Sequence, residues 1–276
     1  MYTPIDTYTH LYGAVSANGG AGWLPAIHNA LFAMRGDCAT LLPINAGKAD
    51  MTELMKCVGA ELSGLYFDMP LSARAFELTD ENDELAARMG MVDTVSVSRL
   101  GARVGHLLLP RALREEMRAA GCAGRQATIL GSGALAACAA RALLDIDADV
   151  RMAVNDAEAE RRVCGMLSAE DEFELLLPGK SNLAGECDIL INASDDNTLP
   201  EDMNISCNMY IALNSRDVTS PIMNSFQAQG AYIVSGFDIS ARCAELAQNA
   251  WGFKPLSRAA RMDALGQVRE CARTCA

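Results

Sequence analysis

The stretch Ala127-Thr128-Ile129-Leu130-Gly131-Ser132-Gly133-Ala134-Leu135-Ala136 decides the fold. Ala127 to Leu130 is a short apolar, β-compatible run and reads as a buried strand. Ala134 to Leu144 continues with a helical pattern. The glycines between them permit a tight turn and a close backbone approach to a phosphate. The following helix offers unpaired N–H groups and the positive end of its dipole to a pyrophosphate. With Ala136 at the third small position, the motif is G-x-G-x-x-A, an accepted variant of the dinucleotide-binding turn, although small residues at this spacing also arise by chance in Ala-rich helices.

The flanks support this reading. A second strand pattern, Asp149 to Val154, follows one helix later and ends in Asn155-Asp156. That is about 20 residues past the glycines, where an acid holds an adenosine ribose. A third strand pattern, Asp188 to Ala193, follows another helix-length segment. The competing reading is an α/β domain whose glycines only tighten a strand-to-helix turn.

The chain has 276 residues, half of them hydrophobic, enough for one large or two medium domains. No apolar stretch approaches the ~18 residues of a membrane helix. The N-terminal residues lack a basic region followed by an apolar one, so a cytoplasmic protein is expected, with no membrane partner. A net charge of -12 argues against nucleic-acid binding, which favours a basic face. The ten cysteines are scattered without a C-x-x-C pair, and there are only three histidines. The cysteines therefore read as small buried hydrophobes, and no metal site is expected.

Ahead of the glycine turn, Pro25 to Arg35 reads as a helix with proline at its start and Gly36 at its stop. Strands are expected at Ala39 to Pro43, Leu62 to Phe67 and Val92 to Ser98. Helices are expected at Ala49 to Val58, Ser72 to Leu78, Glu81 to Met89 and Pro110 to Ala120. Beyond the turn, Met209 to Leu213 and Tyr232 to Val234 complete the strand set. Ser220 and Pro221 open a helix between them that Gly230 closes. Ala241 to Trp251 and Ser257 to Arg273 read as helices that pack back onto the first domain.

This order of elements resembles the shikimate/quinate dehydrogenase family across nearly the whole chain. Pro25-Ala-Ile-His28-Asn29 resembles the family's S-x-S-P-x-x-H-N helix start. Gly64 to Pro70, then Phe76-Glu-Leu-Thr, resembles its G-x-N-V-T-x-P-x-K segment. Val92-Asp93-Thr94 resembles its V-N-T strand, and Asp188 to Ala193 its D-L-I-I-N-A-T strand. The resemblance implies an α/β fold in three parts: a substrate-binding α/β domain at 1–109, a Rossmann NAD(P) domain at 110–237, and C-terminal helices at 238–276 returning to the first domain. It implies a small-molecule substrate and a monomer or homodimer. For the cofactor it points to Gly131, Ser132, Gly133, Ala134, Asn155, Asp156, Asn192, Ala193 and Ser194.

The family's catalytic positions do not carry over. Ser72 stands where the resemblance expects the catalytic lysine, with Arg74 the neighbouring charge. Leu109 falls where it expects the catalytic aspartate. The two carboxylate-binding serines become Gly22 and Leu24. The asparagine and threonine of N-V-T become Tyr66 and Asp68, the asparagine of V-N-T becomes Asp93, and the expected glutamine falls near Cys243. Oxidising an alcohol requires a proton acceptor as hydride leaves, and serine and leucine do not replace a lysine–aspartate pair. Asp68 and Asp93 would repel an anionic substrate such as shikimate and favour a cationic or amine-bearing one.

A different centre is one possibility: His106 as general base, oriented by Asp68 or Asp93, with Tyr66, Arg74, Ser72 and His28 holding substrate. The alternative makes His106 and His28 structural. For the cofactor, Asn155-Asp156-Ala157 places an acid where NADP sites carry arginine, so NAD is expected over NADP, with Arg161 and Arg162 as opposing charges one turn on. Two functions remain open: an NAD(P)-dependent oxidoreductase with a changed substrate, or a catalytically silent dinucleotide-binding sensor or regulatory protein.

Overall fold

The computed structural model describes residues 5–17, 22–48, 50–121, 125–154, 157–167, 170–176, 185–194, 205–213 and 220–275. The chain forms two compact units, Met1–Leu108 with Ser240–Ala276, and Leu109–Ile239. Among the described residues no helix is long and apolar enough to cross a membrane.

The first unit contains, in chain order, β1 (His10–Ser16), α1 (Leu24–Arg35), β2 (Ala39–Asn45), α2 (Met51–Lys56), β3 (Gly64–Phe67), α3 (Ser72–Glu77), β4 (Glu81–Asn82), α4 (Glu84–Met89), β5 (Thr94–Val97) and β6 (Arg103–His106). Its sheet runs β2-β1-β3-β5-β6-β4. β1, β2 and β3 are parallel, whereas β5 runs antiparallel to both β3 and β6. α1 carries Pro25 in its first turn and ends on Gly36, whose φ of 73° supplies the left-handed cap.

Polar caps moved several boundaries away from the sequence expectation. Asp50 accepts the Thr52 N–H, and α2 is confined to Met51–Lys56. The helix expected over Glu81 to Met89 is split. Glu81-Asn82 pairs with Val104-Gly105, and Asp83 then caps α4 by accepting the Ala86 N–H. β1 and β6 had no counterpart in the expected strand set. β1 is a central strand between β2 and β3, and its burial comes from partners distant in sequence.

The second unit contains α5 (Leu109–Ala119), β7 (Gln126–Leu130), α6 (Ala134–Leu144), β8 (Asp149–Ala153), α7 (Ala157–Met166), β9 (Glu174–Leu176), β10 (Gly185–Asn192), β11 (Ile205–Ala212), α8 (Pro221–Ala228) and β12 (Tyr232–Val234). All six strands are parallel, in the order β12-β11-β10-β7-β8-β9. This is the doubly wound order of a dinucleotide-binding fold, with the chain reversing direction across the sheet at β7. The strand pattern from Asp188 was expected to end at Ala193; the strand starts earlier, at Gly185. β9 was not expected; its register with Arg151 to Ala153 defines it. Ser220 caps α8 at the Met223 N–H, as its sequence suggests.

α9 (Gly236–Ala250) and α10 (Arg258–Cys275) follow, and α10 packs against α1. Between them, Trp251 ties the C-terminal segment to the first unit's sheet. Its ring stacks on Tyr12 at 4.3 Å, and its indole N–H donates to the Val95 carbonyl at 3.0 Å. The absence of a side chain at Gly64 makes this approach possible. A Cβ there would sit 2.5 Å from the Trp251 nitrogen and 2.8 Å from the Val95 oxygen. Gly64→Ala is expected to lower stability by about 2–3 kcal/mol through overpacking, measured as a shift of the urea midpoint.

Candidate functional site

In the second unit the glycine turn has the geometry its sequence implies. Gly131 adopts φ 123°, and its N–H donates to the Ala153 carbonyl. A Cβ at Gly131 would lie 2.8 Å from the Ala193 oxygen and 3.1 Å from the Ser194 nitrogen. The end of β7 therefore passes against the end of β10 with no room for a side chain. Gly133 is the N-cap of α6, is extended and carries no side-chain cap, so the helix's first N–H groups face outward from the turn. Nothing lies within 4 Å of the position a Gly133 Cβ would take. Ala136, Ala137 and Ala140 are fully buried, and these small residues let α6 pack closely on the sheet. The arrangement suits a pyrophosphate at a helix N-terminus.

Asn192, Ala193 and Ser194 stand beside this turn. The Ala193 N–H donates to the Leu130 carbonyl at 2.8 Å, and the Asn192 side-chain oxygen accepts the Ser194 N–H and hydroxyl. Ser132 and Ala134 occupy the turn and the first helical position. Asn155 and Asp156 lie outside the described residues.

In the first unit the positions expected to be catalytic or to hold substrate divide into two groups. Tyr66, Asp68, Asp93 and Cys243 come together. The Tyr66 ring is buried and its hydroxyl pairs with the Cys243 sulfur. Burial raises the Tyr66 pKa well above that of an ordinary phenol, and the nearby Cys243, Asp93 and Asp68 reinforce the shift. Burial likewise pushes the Cys243 thiol up. Both groups are neutral at physiological pH.

Asp93 is fully buried, and its two oxygens accept the Thr94 hydroxyl at 2.9 Å and the Leu108 N–H at 2.8 Å. Asp68, at the end of β3, is partly exposed and accepts the Ala17 N–H at 2.9 Å.

The other expected residues are elsewhere or already engaged. His106 is not oriented by Asp68 or Asp93. Its Nδ1 lies 3.2 Å from Asp83 and its Nε2 2.9 Å from the Ser96 hydroxyl, on the side of β6 that adjoins the α4 cap. The strand alternation of β5 and β6 places its imidazole beside Ser96, which corrects the expected catalytic pairing. Arg74 is exposed on α3 and pairs with Glu77 and Thr52, so it is a surface ion pair. Ser72 is buried and its hydroxyl donates to the Met69 carbonyl at 2.7 Å. Leu107, Leu108 and Leu109 are all buried.

His28 is fully buried and belongs to a relay the sequence did not reveal. The Gln248 amide on α9 donates to His28 Nδ1 and to the His28 carbonyl, both at 3.1 Å, while the Gln248 oxygen accepts from Arg35. Arg35 in turn pairs with Asp37 at 2.5 Å. The sequence signal for it was a glutamine in the helical segment Ala241 to Ala250.

Comparison with known proteins agrees with this layout. A shikimate dehydrogenase (NADP(+)) of Anaeromyxobacter sp. strain K is 27% identical over 281 residues, covering 98% of this chain and 100% of that protein. One from Rubrobacter xylanophilus is 29% identical over 198 residues, 69% of each chain. The chain is thus similar, over nearly its whole length, to shikimate dehydrogenases. No family model matches it. A chorismate mutase/shikimate 5-dehydrogenase fusion protein from Clostridium acetobutylicum superposes with a TM-score of 0.82 at 18% identity, over 96% of this chain and 99% of that one. Shikimate 5-dehydrogenase from Thermus thermophilus, solved with NADP(H) and shikimate, gives a TM-score of 0.79 at 18% identity, over 94% and 100%. At these identities the solved structures establish the shared fold.

Within this shikimate dehydrogenase frame, the buried relay at His28 has a consequence for stability. Burial, then the nearby Arg35 charge, lowers the His28 pKa from 6.5 to about 3. As pH falls below 6.5, the unfolded chain gains a proton that the native state refuses, so stability declines toward pH 3. The decline approaches about 1.4 kcal/mol per pH unit for one such group. Urea unfolding of wild type between neutral pH and about pH 5 is expected to show this slope, and His28→Asn to flatten it.

Proposed function

We propose that the chain is a pyridine-nucleotide-dependent oxidoreductase of shikimate dehydrogenase type, acting on a small polar substrate other than shikimate. The carrying observation is the substitution of acids and neutral bulk for amide and hydroxyl groups at the gathered positions Tyr66, Asp68, Asp93 and Cys243. Asp68 is the acid of this group that is only partly buried, and it is assigned to a donor on the substrate, an ammonium or a hydroxyl. Ser72 and Leu109 carry no general base, so the lysine–aspartate proton transfer implied by the family resemblance has no counterpart at those positions.

The relatives bear NADP(+) in their names. For this chain the reading is NAD, because Asn155-Asp156-Ala157 offers an acid to a free ribose 2′-hydroxyl and repels a 2′-phosphate. A second reading, a silent dinucleotide-binding regulator, draws support from Asp93 and Ser72, whose polar atoms are engaged within their own unit.

Calorimetry with NAD and NADP is expected to give binding, tighter for NAD. Gly131→Ala is expected to abolish it, because the added Cβ meets Ala193. NADP binding as tight or tighter would reject the NAD preference, and binding of neither would reject the dinucleotide reading. Shikimate oxidation is expected to be absent with either cofactor; measurable turnover of shikimate would overturn the changed substrate. With bound NAD, spectrophotometric screening of amines and polyols separates the enzyme from the silent regulator.

A further inference from the structure

At the end of β10, the Asn192 amide is held from both sides. A backbone N–H can only donate, so the Ser194 N–H at 3.1 Å fixes which end of the amide is oxygen. The amide nitrogen must then face Tyr210, donating to its hydroxyl at 3.2 Å. Asn192 and Tyr210 are both fully buried. Tyr210 sits on β11, in register with Leu190, and its ring stacks on Phe226 of α8 at 4.6 Å. A continuous line of packing and hydrogen bonds thus runs from α8 through Tyr210 and Asn192 to the Ala193-Ser194 turn. That turn is the backbone that Gly131 passes without space for a Cβ.

Sheet order gives this line its meaning. β8, which precedes Asn155-Asp156, flanks β7 on one side, and β10 flanks it on the other. A dinucleotide laid across the crevice at the strand ends, with adenosine ribose past β8, extends its second half past β10. We propose that Tyr210, acting through the Asn192 amide, is a positioning residue that sets the 193–194 turn for the nicotinamide half of a bound dinucleotide. This rests on the reading that the Gly131 turn binds a dinucleotide.

Tyr210→Phe keeps the ring and its stack on Phe226 and removes only the hydroxyl. Titrations of wild type, Tyr210→Phe, Asn192→Ala and the double variant with NAD, NADP and ADP test the idea, with melting temperatures alongside. Tyr210→Phe is expected to bind the preferred dinucleotide about three- to tenfold more weakly, the scale of one lost hydrogen bond. Its affinity for ADP, the adenosine half, is expected to hold; its melting temperature is expected to fall by a few degrees, because the buried Asn192 amide loses a partner, with the protein still folded at the titration temperature. The double variant should bind no more weakly than Asn192→Ala alone, because Tyr210 acts through that amide.

Unchanged dinucleotide affinity in Tyr210→Phe would overturn the proposal, as would equal weakening for ADP and dinucleotide, partial unfolding at the titration temperature that accounts for the loss, or a further loss in the double variant. If wild type binds neither dinucleotide, the underlying reading falls first and this proposal with it.

Discussion

The second unit is organised by one close approach, the passage of Gly131 against the Ala193 carbonyl. Parallel strands bring their C-terminal ends to the same edge of a sheet, and the doubly wound order makes β7 and β10 neighbours there. The chain leaving β7 must turn sharply and still begin a helix. A residue without a Cβ, at φ 123°, satisfies both demands at once. The uncapped start of α6 then offers N–H groups outward. Asn192 and Tyr210 fix the opposing turn from behind, so the site's geometry is held by buried groups on three adjoining elements.

The first unit rests on different physics. Its buried polar residues are tied to each other or to backbone: Asp93 to Thr94 and Leu108, Ser72 to Met69, and His28 to Gln248. A buried polar group without a partner costs about 1–3 kcal/mol, so such pairing is what allows these residues into a core. Tyr66 and Cys243 bring neutral bulk to the same cluster, both held neutral by burial. Asp68 is the partly exposed acid of the group. These side chains sit in a fold shared with solved shikimate dehydrogenases.

The α/β class and the glycine turn were legible because they depend on local pattern. Alternating apolar runs and helices, small residues at fixed spacing, and caps such as Ser220 act over a few residues. β1, β6 and β9 escaped because pairing with partners far along the chain defines them. The splitting of Glu81 to Met89 had a local cause, the Asp83 cap, yet required Val104-Gly105 as a partner for its first two residues. His106 shows the limit most clearly. Proximity in sequence to the expected aspartate position suggested a catalytic base, whereas β5–β6 register delivers its ring to Ser96 and Asp83.

The sequence by itself determined the glycine turn and the doubly wound succession of strands and helices after it. Those are properties of residue type and short spacing, which local sterics and hydrophobic period fix. Tertiary structure alone decided which polar groups meet: Tyr66 with Cys243, His28 with Gln248 some 220 residues away, and Asn192 with Tyr210. Hydrogen bonds act over about 3 Å, and only the folded chain brings groups so distant in sequence within that range.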